Sequence, residues 1–185
     1  LSLQTGEIKH LKGINGSGKS TLLRCIIGLE HYQGNIRVAE ESNVEIYRKQ
    51  LGVVLDQPCF HEEMNGFTHI KWVNQIKPSP QEYIEELANG LGFDKKTLEQ
   101  KVSTYSYGFR RKLSLLLALL GNPILLLLDE PFNGLDKNSM QFLVNYLQNR
   151  KEKVGILFTH HQASENTLVA NKVLEVIDGK IVKIL

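Results

Sequence analysis

Ile8-Lys9-His10-Leu11-Lys12-Gly13-Ile14-Asn15-Gly16-Ser17-Gly18-Lys19-Ser20-Thr21 is the stretch on which the fold turns. A strand-like run, Ile8 to Lys12, leads into Gly13-Ile14-Asn15-Gly16-Ser17-Gly18-Lys19-Ser20, which satisfies G-x-x-x-x-G-K-[ST] at every specified position. Glycines let the backbone turn tightly enough for successive N–H groups to face one anionic oxygen cluster. The N-terminus of a following helix, expected over Ser20 to Ile27, adds its dipole. Lys19 then sets a point charge against the outer phosphates of a nucleotide, and the Ser20 hydroxyl is a ligand for Mg2+. Strand, phosphate-binding turn and helix in that order open a parallel α/β unit.

A phosphate cradle of this kind needs an acidic partner at the same edge of the sheet. Ile124-Leu125-Leu126-Leu127-Leu128-Asp129-Glu130-Pro131 supplies one: an apolar run fit for a strand buried on both faces, ending in two carboxylates. Asp129 is suited to hold Mg2+, and Glu130 to orient and deprotonate water as general base. The apolar stretch Leu113 to Leu128 is too short for a membrane span and is broken by Gly121-Asn122-Pro123. It reads instead as the end of a buried helix, a stop, and a strand.

Further apolar runs at Val53 to Leu55 and Val154 to Phe158 alternate with helix-like segments, the pattern of a sheet parallel at its centre. From about Pro58 to Leu120 the strand signals fade, and Gln81 to Leu91 and Phe109 to Leu120 are patterned as helices, so this part reads as a helical insertion. Near the end, Asp178-Gly179 marks a hairpin turn between Val173 to Ile177 and Ile181 to Leu185.

With 185 residues, 22 basic and 20 acidic, the chain has room for one domain and no global field that implies nucleic acid as partner. Cys25 and Cys59 lack metal or disulfide spacing, as expected in a reducing compartment. Leu1 is not an initiator methionine and no leader-like segment follows it, so the chain reads as a piece that begins inside a longer product.

Taken in order, these residues resemble the ATP-binding-cassette ATPase family over essentially the whole chain. The implied fold is α/β: a P-loop NTPase core with a mostly parallel sheet, antiparallel edge strands and an inserted helical subdomain. The core would be about residues 1–57 and 121–185, the subdomain about 58–120, with the N-terminal part of the family domain missing. Val53-Val54-Leu55-Asp56-Gln57 is similar to the strand and glutamine at the entry to the helical subdomain, which gives Gln57 a role at the metal and attacking water. Asn133-Gly134-Leu135-Asp136 resembles the loop that contacts the opposite subunit, and Ile156-Leu157-Phe158-Thr159-His160 the strand ending in a switch histidine that reaches the γ-phosphate.

The family's Leu-Ser-Gly-Gly-Gln segment appears as Tyr105-Ser106-Tyr107-Gly108-Phe109. The resemblance implies that Ser106, Gly108 and the helix after them close on nucleotide held by the other subunit. Tyr107 adds bulk where backbone approach is close and is expected to hinder closure. Arg110-Arg111-Lys112 either continues this motif or forms a solvated basic face. His10, His31, His61 and His69 show no spacing that groups them as ligands and are read as ordinary residues.

The resemblance therefore implies an ATP-binding and ATP-hydrolysing subunit with Mg2+ as its metal. Its nucleotide residues are Gly13 to Thr21, Ser106, Gly108 and Asp136; Ser20, Gln57 and Asp129 hold the metal, and Glu130, His160 and Gln57 serve catalysis. The implied partners are a second nucleotide-binding subunit and an integral-membrane transporter subunit, which would hold the chain on the inner, cytoplasmic face of the membrane. Phe60, Phe67 and Trp72 are candidates for that contact or for core. The same family also serves DNA repair, translation and cofactor assembly. A GTPase would show Asn-Lys-x-Asp, which is not in the sequence.

Overall fold

A computed structural model of the chain describes residues 1–160 and 170–184. Its six-stranded sheet runs β2 (Leu51–Val54), β3 (Leu125–Leu128), β4 (Gly155–Thr159), β1 (Ile8–Lys12), β5 (Lys172–Ile177), β6 (Lys180–Ile184). The β2–β3, β3–β4, β4–β1 and β1–β5 pairings are parallel; β5–β6 is antiparallel. The mostly parallel α/β reading and its antiparallel edge are thus both found.

Alternation along the strands divides the core into two layers. Leu126, Leu128, Ile156 and Phe158 pack into a cluster on one face of the sheet, while Leu127, Leu157, Leu11 and Leu174 pack into the cluster on the other. Helix α1 (Lys19–Ile26) presents Leu23 and Ile26, three residues apart, to the second cluster. The first cluster continues into α3 (Gly66–Ile76), α4 (Gln81–Gly90), α5 (Lys95–Glu99) and α6 (Tyr107–Leu119), and α7 (Lys137–Arg150) also packs there. A short helix, α2 (Val44–Tyr47), precedes β2 and buries Tyr47, whose hydroxyl donates to Ile26 O at 2.6 Å.

The segment between β2 and β3 is helical, and its caps are local: Asn65 accepts from Thr68 N at 2.9 Å, Asp94 from Thr97 N at 2.7 Å, and Ser106 from Phe109 N at 3.3 Å. The Ser106 cap starts α6 at Tyr107, two residues ahead of the sequence expectation. Strand β2 likewise starts at Leu51 rather than Val53, because Leu51 and Gly52 pair with Leu125 and Leu126. Gly52 weakens the strand signal for a packing reason: the α6 backbone at Ala118 passes so close that any Cβ there would collide with its carbonyl.

The long apolar stretch divides as expected. Helix α6 stops at Leu119, Gly121 and Asn122 turn the chain with φ of 76° and 49°, and β3 follows. Among the described residues no helix is long and apolar enough to cross a membrane. The Asp178-Gly179 turn has φ of 47° and 74°, the positive pair that a type I′ hairpin demands. The last residue of its expected second strand, Leu185, lies outside the described residues, as does His161.

Candidate functional site

In an open parallel sheet the ligand edge is where the strands' C-terminal ends meet. Three central strands deliver the candidate residues there. β1 runs into the glycine loop, β3 leads directly into Asp129 and Glu130, and β4 ends at Thr159 with His160 next in the chain. The strand order places β4 between β3 and β1, so the acidic pair and the loop face each other across it.

A cleft of about 490 Å³ opens at this edge, lined by Asn15, Gly16, Gly18, Lys19, Ser20, Thr21, Asp56, Asp129, Glu130 and Asn133. That volume lies within the range of small-ligand sites. The loop's shape depends on glycine at particular places. Gly16 and Gly18 adopt φ of 79° and 102°, the second as N-cap of α1. A Cβ at Gly13 would lie 2.5 Å from Val176 O and 2.6 Å from Ser17 Oγ, so β5 closes the back of the loop. The hairpin turn adds a strut, Gly179 N donating to Ser17 O at 3.0 Å.

Lys19 is 6% exposed and donates to Gly13 O and Ile14 O, both at 2.9 Å. The first intrahelical bond of α1 runs from Leu22 N to Gly18 O at 2.9 Å, so the N–H groups of Gly18 to Thr21, all residues that line the cleft, have no helical acceptor. Ser17 Oγ is buried with no hydrogen-bond partner among the described residues. Unfilled donors around a nearby lysine suit a polyphosphate. The oxygen donors Ser20 and Asp129 on opposite walls of one cleft suit a hard cation such as Mg2+.

The acidic wall is tightly organised. Glu130 is 4% exposed and holds a φ of 50°, unusual for a residue with a side chain. Its N–H donates to Thr159 Oγ1 at 2.9 Å, and that hydroxyl donates in turn to Asp129 Oδ1 at 2.6 Å. His160 Nδ1 lies 3.1 Å from Glu130 Oε2. In sequence Thr159 reads only as part of a strand, yet its one hydroxyl ties both carboxylate residues. Thr159→Val keeps the shape and the strand preference but leaves that N–H and carboxylate oxygen without this partner. An expected loss of about 2 kcal/mol should lower the melting temperature by roughly 5 °C in a thermal scan; an unchanged midpoint would show the hydroxyl to be dispensable.

The remaining expected site residues lie outside this wall. Gln57 is exposed one residue beyond the cleft-lining Asp56. Ser106 is exposed at the start of α6, and Gly108 sits so near the next loop that a Cβ would come within 2.7 Å of Gly134 O. Asp136 accepts from Ser139 N and Ser139 Oγ, each at 3.0 Å, as cap of α7, and forms an ion pair with Lys112. The Lys112 ammonium, then the Ser139 amide, hold its carboxyl well below the usual range.

The reading of residues 110–112 as a solvated basic face is corrected. Only Arg110 behaves so, pairing with Glu62. Lys112 is 7% and Arg111 1% exposed, and Arg111 spans the ends of β2, β3 and α6. Tyr107 packs within the chain on one side. Its ring rests where a Cβ on Gly134 would come within 2.8 Å, and its hydroxyl accepts from Arg111 at 3.1 Å, although 54% of the residue stays exposed.

A family model described as ABC transporter matches residues 1–133. The Bacillus subtilis protein YdbJ, named an uncharacterized ABC transporter ATP-binding protein, is 31% identical over 98% of this chain and 61% of its own length. The chain thus spans about three fifths of that relative. A solved ATP binding subunit of an ABC transporter superposes over 100% of this chain and 80% of that one, with a TM-score of 0.91 and 25% identity. The ATP-binding cassette MJ0796, solved as a dimer in a post-hydrolysis state bound to ADP and Pi, shares the fold, with a TM-score of 0.85 and 18% identity over 100% of this chain and 87% of its own.

Proposed function

Because the chain belongs to the ABC transporter family, we propose that it is an ATP-binding and ATP-hydrolysing subunit that works as a dimer and drives a separate membrane subunit. The observation that carries this reading is the single cleft shared by Lys19 on one side and Asp129 and Glu130 on the other. Residues Gly13 to Thr21 grip the triphosphate through backbone N–H groups, the α1 dipole and the Lys19 ammonium. Ser20, Asp129 and Gln57 would hold a magnesium ion, which when bound supplies positive charge to the transferring phosphoryl group. Glu130 orients the attacking water and takes its proton, and His160, beside Glu130, reaches the γ-phosphate.

Each site is completed by a second subunit, either a copy of this chain or a related one. Ser106 and Gly108 of one face the loop at residues 13–20 of the other, with Asp136 and its loop at the seam. Binding closes the pair and hydrolysis reopens it, so an isolated monomer binds nucleotide but turns it over poorly. Phe67 and Trp72 of α3, 39% and 38% exposed, offer apolar side chains beyond Gln57 that suit contact with a short helix of the membrane partner. That contact sets the chain on the cytoplasmic side of the membrane.

Equilibrium titration with ATP and Mg2+ tests the reading. The parent chain is expected to bind, and Lys19→Ala to bind roughly a hundredfold more weakly, since a buried charge contact is worth about 3 kcal/mol. Circular dichroism confirms that the variant is folded. A parent that binds no nucleotide, or a folded variant that binds as well as the parent, would sink the proposal.

A further inference from the structure

His10 lies on β1, three residues ahead of the glycine loop, and is only 2% exposed. Its ring stacks on Phe158 of β4 with centroids 4.8 Å apart and planes 3° from parallel. The strand register pairs the same two residues. At the far end of the ring, Nε2 lies 3.1 Å from the carbonyl oxygen of His160. The other nitrogen, Nδ1, is buried without a partner among the described residues.

These facts select one form of the ring. A carbonyl oxygen only accepts, so Nε2 carries the proton. A bare lone pair at Nδ1 is tolerated in an apolar pocket, whereas an N–H there would lack an acceptor. Burial, as the largest influence, pushes the ring's pKa below the ordinary histidine value, so it stays neutral near pH 7. A structural histidine with one polar contact would be unremarkable at most places. This contact falls on the residue whose side chain meets Glu130 at 3.1 Å, just past the end of the β4 ladder, where the β1–β4 strand pairing no longer fixes the chain.

We infer that His10 is a positioning residue: by donating from Nε2 to His160 O it ties the strand that feeds the phosphate loop to the histidine facing Glu130, and so sets the His160 ring for hydrolysis. The inference deepens the proposed ATPase reading and rests on it for its kinetic consequence, but its structural content stands apart. His10→Phe keeps the ring, the volume and the stack on Phe158 while removing the donor. His10→Gln keeps a donor on a chain of similar reach.

In the assembled dimer with ATP and Mg2+, His10→Phe should lower kcat about tenfold, as expected for a misplaced catalytic group, and leave KM within about twofold. His10→Gln should recover most of the loss. Imidazole 15N spectra of the chain provide the independent arm: the parent should show His10 in the Nε2–H form, and the His160 ring signals should move in His10→Phe but stay near their parental positions in His10→Gln. Parental turnover in His10→Phe, equal losses in both variants, or His160 signals that ignore His10→Phe would each overturn the inference. If the parent proves not to use ATP, the nucleotide reading fails by itself, and the spectra still decide whether His10 holds His160.

Discussion

Replacing Glu130 by Gln is expected to lower ATP turnover by about a thousandfold, the scale of lost general-base catalysis, with nucleotide affinity changed only severalfold. The expectation follows from how the residue is held. Glu130 lies two residues past the end of β3 with a φ of 50°, a conformation costing roughly 1 kcal/mol or more for a residue with a side chain. Its N–H is fixed by Thr159 Oγ1 at 2.9 Å, and its Oε2 meets His160 Nδ1 at 3.1 Å. A glutamine has the same length and volume, and its amide offers His160 an oxygen or an N–H according to the imidazole tautomer. The local fold therefore survives. What disappears is the basic oxygen that takes a proton from water.

A subunit that still grips ATP but does not cleave it should remain closed on its partner. Light scattering in the presence of ATP and Mg2+ should therefore show a dimer that persists in Glu130→Gln and is transient in the parent. A Gln variant that hydrolyses at the parental rate would falsify the assignment of Glu130 as base and move the search to Asp56, the cleft-wall carboxylate that is not assigned to the metal.

What the sequence made legible was local. The glycine loop states its own backbone needs, and Gly16 and Gly18 have the positive φ that those needs imply. The Asp178-Gly179 turn and the stop at Gly121-Asn122-Pro123 are written in a few adjacent residues, and each lies where those residues demand. Asp129 and Glu130 were readable because a long apolar run ended abruptly in charge. By contrast, Thr159, His10 and Arg111 gain their roles from strands and helices far away in the chain. A threonine closing an apolar strand and a histidine within a strand carry no mark of what lies on the neighbouring strand, since register is set only when the sheet assembles. Arginines at 110 and 111 look alike in sequence, but the helical period turns one toward Glu62 at the surface and the next toward the ends of β2 and β3.

That difference leads to the largest expected effect on stability. Arg111→Met should destabilise the fold by about 4 kcal/mol, the scale of removing one partner from a buried charged network and a large part of the total for an ordinary domain. The Arg111 guanidinium is 1% exposed and donates to Leu55 O at 2.8 Å, Asp129 O at 3.2 Å, Asp56 O at 3.0 Å and Asp56 Oδ1 at 3.2 Å, as well as to Tyr107 OH. Buried ion pairs can often be exchanged for apolar groups at little cost, because both charges leave together. Here most of the acceptors are main-chain carbonyls, which no substitution removes. Methionine fills the volume and leaves those oxygens, at the ends of both β2 and β3, without a donor.

Lysine in the same place should recover only part of the loss, since one ammonium does not span the carbonyls that a planar guanidinium bridges. Urea unfolding followed by tryptophan fluorescence reads the difference, with Trp72 as the one tryptophan in the chain. If Arg111→Met unfolds within about 1 kcal/mol of the parent, a scale typical of mild substitutions, the strand ends are secured by other contacts and Arg111 is not the brace that joins the α6 segment to the acidic edge of the sheet.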